Sequence, residues 1–128
     1  MSDPEELQEW VAKAEEDYAG AVDLHRRRKA PLPNLVCFHA QQCAEKYMKA
    51  LLLSKGADFP KTHDLLMLNN LCSAVGIFVE IDPKLLNTLT DYAVRTRYPG
   101  EGSTLGDAKE AMEITKSIRS FARRFLGS

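Results

Sequence analysis

Residues 34–55 carry apolar side chains on nearly every face of the helix they would form: Leu35, Val36, Phe38, Ala40, Cys43, Ala44, Tyr47, Met48, Leu51, Leu52 and Leu53. A helix that is apolar around most of its circumference cannot rest on a surface, so it has to be wrapped by other elements. The only relief in this segment is polar. Projected onto a helix at about 100° per residue, His39, Gln42, Lys46 and Lys49 fall in one narrow band, with Gln41 and Glu45 beside it. Gly56 supplies the left-handed residue with which such a helix ends.

The wrapping elements can be read on either side. From Pro4 to about Arg28, Leu7, Trp10, Val11, Ala14, Tyr18, Ala21, Val22 and His25 recur at three- and four-residue steps, an amphipathic helix with Asp3 as N-cap. The Ala-Pro-Leu-Pro stretch at 30–33 stops it, because proline removes a backbone donor and clashes with the preceding turn. Thr62 or Asp64 can cap a short helix through Leu65, Leu68 and Cys72, which Gly76 ends. Asp82-Pro83 restarts the chain into a helix reaching Pro99-Gly100, and a last helix from about Thr104 places Ala108, Ala111, Met112, Thr115, Ile118, Ala122 and Phe125 at helical spacing. Phe78-Val79-Glu80-Ile81 is too short and too isolated to count as a strand. The pattern predicts one all-α domain over residues 1–128, an antiparallel up-and-down four-helix bundle with an additional short helix.

Composition narrows the function classes. With 17 Lys plus Arg against 18 Asp plus Glu, the net charge of -1 gives no field over the whole chain for nucleic acid or acidic lipid, so any anion site must be a local cluster. The longest apolar runs fall short of the ~20 residues that span a bilayer, and the start, Met-Ser-Asp-Pro-Glu-Glu, is acidic where a signal peptide is basic. A cytoplasmic protein without a membrane partner is expected. Cys37, Cys43 and Cys72 are odd in number and sit within apolar helical patterns, which suits reduced core thiols.

Three motifs in order resemble the HEPN family (higher eukaryotes and prokaryotes nucleotide-binding). They are Cys-Phe-His-Ala-Gln-Gln-Cys-Ala-Glu-Lys-Tyr-Met-Lys-Ala-Leu-Leu at 37–52, Pro-Lys-Thr-His-Asp-Leu at 60–65, and Tyr92 with Arg-Tyr-Pro-Gly at 97–100. The resemblance spans about 5–125 and implies a bundle that commonly forms a homodimer. It also implies a minimal nucleotidyltransferase partner, a toxin–antitoxin-like pairing, and nucleotide or RNA as ligand. Glu45-Lys46 resembles a recurrent polar pair of the family. Catalytic members are ribonucleases marked by Arg, four to six residues, then His. Here the positions so spaced from Arg97 are Gly102, Ser103 and Thr104, and those from Arg95 are Gly100, Glu101 and Gly102, so the usual proton-transferring histidine is missing.

No catalytic residue, metal ligand or cofactor is therefore assigned. His39 and Cys43 stand one turn apart, but neither belongs to the paired short spacing of a zinc site. The ligand-binding candidates are Arg95, Arg97 and Tyr98, the basic-aromatic cluster where the fourth helix ends, together with Lys61 and His63 at the start of the third and His39 as a neighbour. Guanidinium groups hold phosphate in pairs of hydrogen bonds, an aromatic face stacks a base, and a helix start offers free amides to an anion. Arg26-Arg27-Arg28-Lys29 reads as a solvated run that suits a helix C-terminus. The expected function is a HEPN-like nucleotide- or partner-binding domain. The alternatives are a metal-independent ribonuclease with Arg97 stabilising the transition state, and a structural adaptor. Leu35, Phe38 and Leu53 exceed what a monomer needs to bury and are assigned to a second subunit.

Overall fold

The computed structural model describes residues 3–127, so Met1, Ser2 and Ser128, including the first two residues of the acidic start, lie outside it. Among the described residues there are five helices and no strand: α1 (Pro4–His25), α2 (Pro33–Ser54), α3 (Leu65–Ala74), α4 (Pro83–Arg95) and α5 (Leu105–Leu126).

The helix starts follow the residues that precede them. Asp3, Asp64 and Asp82 accept the first free amides of α1, α3 and α4, while Thr104 and Asp107 close a reciprocal capping box on α5. α2 starts at Leu32-Pro33 with no side-chain cap. The turn before it holds Ala30 at φ 47°, a left-handed conformation that a residue with a Cβ adopts only under constraint. α1 stops at His25, a few residues short of the predicted end, and the Arg26–Lys29 run leads out of the helix.

α2 is the axis. Thirteen of its 22 residues are buried, against only Ala14 and Ala21 of α1, and all four other helices pack on it. Its core side chains meet Leu65, Leu68 and Cys72 of α3, Leu86 and Leu89 of α4, and Ala111, Ile114 and Ile118 of α5. Four long helices thus run up, down, up and down, with α3 as the additional short one. The end of α1, the start of α2, the end of α4 and the start of α5 share one end of the bundle. There the Asn34 side chain accepts the Ser103 amide at 2.7 Å and ties the 99–104 loop to α2. At the other end Lys55, just past α2, lies 5.6 Å over the Phe125 ring near the end of α5. α1 and α5 both rest on α2 and touch each other little.

A bundle of this kind needs lateral ties as well as a core. Glu15 of α1 provides one: Arg119 of α5 grips it with two donors at 2.6 and 2.8 Å, Arg123 stands at 3.2 Å, and the Tyr47 hydroxyl of α2 donates to the same carboxylate. The Arg119 guanidinium beside it, opposed in part by burial, holds the Glu15 carboxyl at about 2. Burial pushes the Cys43 and Cys72 thiols up to about 12 and also raises Cys37, so all three cysteines are protonated core residues.

Candidate functional site

The polar band of α2 divides in two. His39 and Lys46 turn toward α1, where His39 Nδ1 lies 2.9 Å from one oxygen of Asp17 and Lys46 Nζ holds the other. Gln41, Glu45 and Lys49 follow one another at four-residue steps into a buried polar row. There Lys49 Nζ donates to Glu45 Oε2 at 3.0 Å, and the two side chains are only 7 and 5% exposed. Lys49 is further enclosed by aromatic rings, with Trp10 at 5.6 Å and Phe59 at 5.7 Å.

The other oxygen of Glu45 faces the 60–64 loop. His63 Nδ1 lies 2.7 Å from Glu45 Oε1, and Gln41 Nε2 donates both to that oxygen at 3.2 Å and to the His63 carbonyl at 2.9 Å. The loop is thus pinned through main chain and side chain together. The His63 ring is 64% exposed, with Nδ1 toward the carboxylate. Lys61, two residues earlier, is exposed and makes no ion pair among the described residues. The α3 amides that sequence offered to an anion are taken: Asp64 accepts from Leu66 and Met67, and Leu65 donates to Thr90 Oγ1 at 3.3 Å. Capping accounts for that helix start.

At the end of α4 the basic-aromatic cluster also splits by role. Arg95 lies 5.0 Å over the Tyr92 ring, 3.8 Å from Asp107, and 3.2 Å from Asp91 in an ion pair whose geometry falls short of a hydrogen bond. The Tyr92 hydroxyl donates to Glu110, which, with some burial, raises its ionisation well above the usual phenol range. Arg95 therefore belongs to the α4–α5 joint. Arg97 is exposed and pairs with no carboxylate among the described residues, and Tyr98 has 57% of its surface open.

The structure brings Arg97 and Tyr98 together, and Lys61 and His63 together. Thr90 of α4 touches the start of α3, and Arg97 and Tyr98 follow the end of that helix. His39 is engaged on the α1 side and joins neither pair. Among the described residues no three His, Cys, Asp or Glu side chains come close enough to hold a metal ion. Sequence reasoning paired Glu45 with Lys46 and missed its bonds to Lys49 and His63. The available signal was polar residues at four-residue spacing inside an otherwise apolar helix, where each must find a buried partner.

Comparison with known proteins bears on fold and lineage. The model of the HEPN domain matches residues 7–125. Among solved structures, the crystal structure of TT1696 from Thermus thermophilus superposes with a TM-score of 0.72 at 22% identity, covering 92% of this chain and 96% of that one, a likeness of fold. None of the curated proteins matches.

Proposed function

The chain belongs to the HEPN domain family, and from that premise we propose that it is a nucleotide-binding HEPN domain. On this reading residues 1–128 act as one domain in the cytoplasm, as a homodimer, beside a minimal nucleotidyltransferase in a toxin–antitoxin-like pair. Among the described residues no helix is long and apolar enough to cross a membrane. The observation that carries the ligand site is the exposed pair Arg97–Tyr98, a guanidinium without a carboxylate partner among the described residues next to an open aromatic face. Arg97 takes the phosphate and Tyr98 stacks the base, while Lys61 and the exposed ring of His63 stand before the start of α3. Two exposed apolar side chains at the same end of the bundle support the dimer: Leu35 and Val94, at 44 and 45% exposure.

Calorimetric titration with adenosine monophosphate tests the site. Arg97→Ala should weaken binding by about 1–3 kcal/mol, the scale of a charge-assisted hydrogen bond, with melting temperature unchanged. A stable variant that binds as before removes the assignment. Light scattering at tens of micromolar tests the dimer, and a monomer mass removes that part.

One observation favours a second reading, metal-independent RNA cleavage. The His63–Glu45 pair offers the proton acceptor that the spacing after Arg97 lacks. Purified protein should leave single-stranded RNA intact on the binding reading. Cleavage in the presence of a chelator that Arg97→Ala and His63→Ala both abolish would put the nuclease in its place.

A further inference from the structure

The Arg26–Lys29 run, set aside in the sequence as a solvated helix end, borders a cleft of about 380 Å³ between the end of α1, the start of α2 and the first turns of α5. That volume lies within the range of small-molecule sites. Four of its lining side chains are cationic or can become so: His25, Arg27, Arg28 and Lys109. Among the described residues no carboxylate lines it. The floor is apolar, with Leu32 and Val36 of the α2 start facing Leu105 of α5, whose side chain is 62% exposed. The cleft adjoins a groove of about 330 Å³ that shares His25 and Lys109 and is walled by Tyr18, Val22 and Met112. The groove adds Arg26 and Lys116 to the positive side and Glu113 as a carboxylate.

An excess of cations at the mouth over an elongated apolar wall has a definite chemical complement. Inorganic anions would leave the apolar wall wet, and a neutral hydrocarbon would leave the cations unpaired. We infer that this trough is a binding site for an organic anion: a phosphate or carboxylate head at Arg28 and Lys109 and an extended apolar body lying between α1 and α5. The site is separate from Arg97 and Tyr98 and does not depend on the nucleotide reading.

The test is calorimetric titration of the full chain with four probes: octyl phosphate, octanoate, inorganic phosphate and octanol. Octyl phosphate or octanoate should bind at least tenfold more tightly than either half alone, and the tighter of the two names the head group. The double variant Arg28→Ala/Lys109→Ala should weaken that binding by tenfold or more, the factor expected for losing charge-assisted contacts. The charge reversal Lys109→Glu should do the same, and circular dichroism checks that both remain folded. Phe78→Ala, which removes an exposed ring in the α3–α4 loop, should leave the affinity unchanged. The inference is overturned by absence of binding to both amphiphiles, by inorganic phosphate or octanol binding as well as they do, or by unchanged affinity in folded Arg28→Ala/Lys109→Ala and Lys109→Glu.

Discussion

Replacing Lys49 by Met removes a buried ammonium while keeping a long apolar side chain between Trp10 and Phe59. What it leaves behind sets the magnitude. The Glu45 side chain, 5% exposed, loses the Lys49 ammonium but keeps Gln41 at 3.2 Å and His63 at 2.7 Å. Removing one member of a buried ion pair typically destabilises by about 3–5 kcal/mol, and the two surviving partners place Lys49→Met near about 3 kcal/mol. At roughly 4 °C per kcal/mol for a domain of this size, the melting temperature should fall by about 12 °C. The double variant Glu45→Leu/Lys49→Met tests the reasoning itself, since replacing a buried pair by apolar groups of similar volume is often neutral. Its stability in urea should return to within about 1 kcal/mol of the parent. A Lys49→Met loss below about 1 kcal/mol, or a double variant no more stable than the single one, would show that the pair is not the tightly coupled unit described here.

The Glu15 tie should appear in acid. Its folded ionisation is lowered to about 2 from 4.5, so its contribution is complete above about pH 4.5 and is lost as pH falls from there toward 2; Glu15→Gln should flatten that limb, by about 1–2 kcal/mol after screening of a part-exposed group. Arg95→Ala should lower stability by about 1 kcal/mol through the α4–α5 joint, whereas Arg97→Ala stays within about 0.5 kcal/mol; equal losses in urea titrations would contradict the division of roles between them. Asp64→Ala should remove roughly 1 kcal/mol with the α3 cap, and a melting curve identical to the parent's would mean that other groups satisfy those amides.

Much of the fold was legible because its signals are local. Asp3-Pro4, Asp82-Pro83 and the Thr104 cap act within a turn of themselves, and the apolar girth of α2 announces a central helix without knowledge of its neighbours. Helix ends were read less well: α4 stops at Arg95, and residues up to Pro99 that seemed to continue it form turns, since the decisive hydrogen bonds there are few and cooperative. The site was legible only in part. Arg97 and Tyr98 carry their chemistry in their own side chains. The assignment of Arg95 to Tyr92, Asp91 and Asp107, of His39 to Asp17, and of His63 to Glu45 required knowing which helix lies beside which. The cleft beside Arg28 and Lys109 joins residues from both halves of the chain and leaves no periodic trace in the sequence.

The lateral tie between Glu15 and Arg119 spans 104 positions. A chain made from its N-terminus completes α1 and α2 well before α5 exists. Until Arg119 emerges, Glu15 and Tyr47 have no guanidinium, and the face of α2 that holds Cys43, destined to lie against Ile114, Thr115 and Ile118, stays open to solvent. The nascent α1–α2 hairpin therefore lacks the α5 cover of that apolar face for as long as translation of the second half lasts. Slower synthesis of residues 60–119 lengthens that window, so the yield of folded protein in a cell should depend on elongation rate and chaperone supply more than the final stability of the bundle suggests.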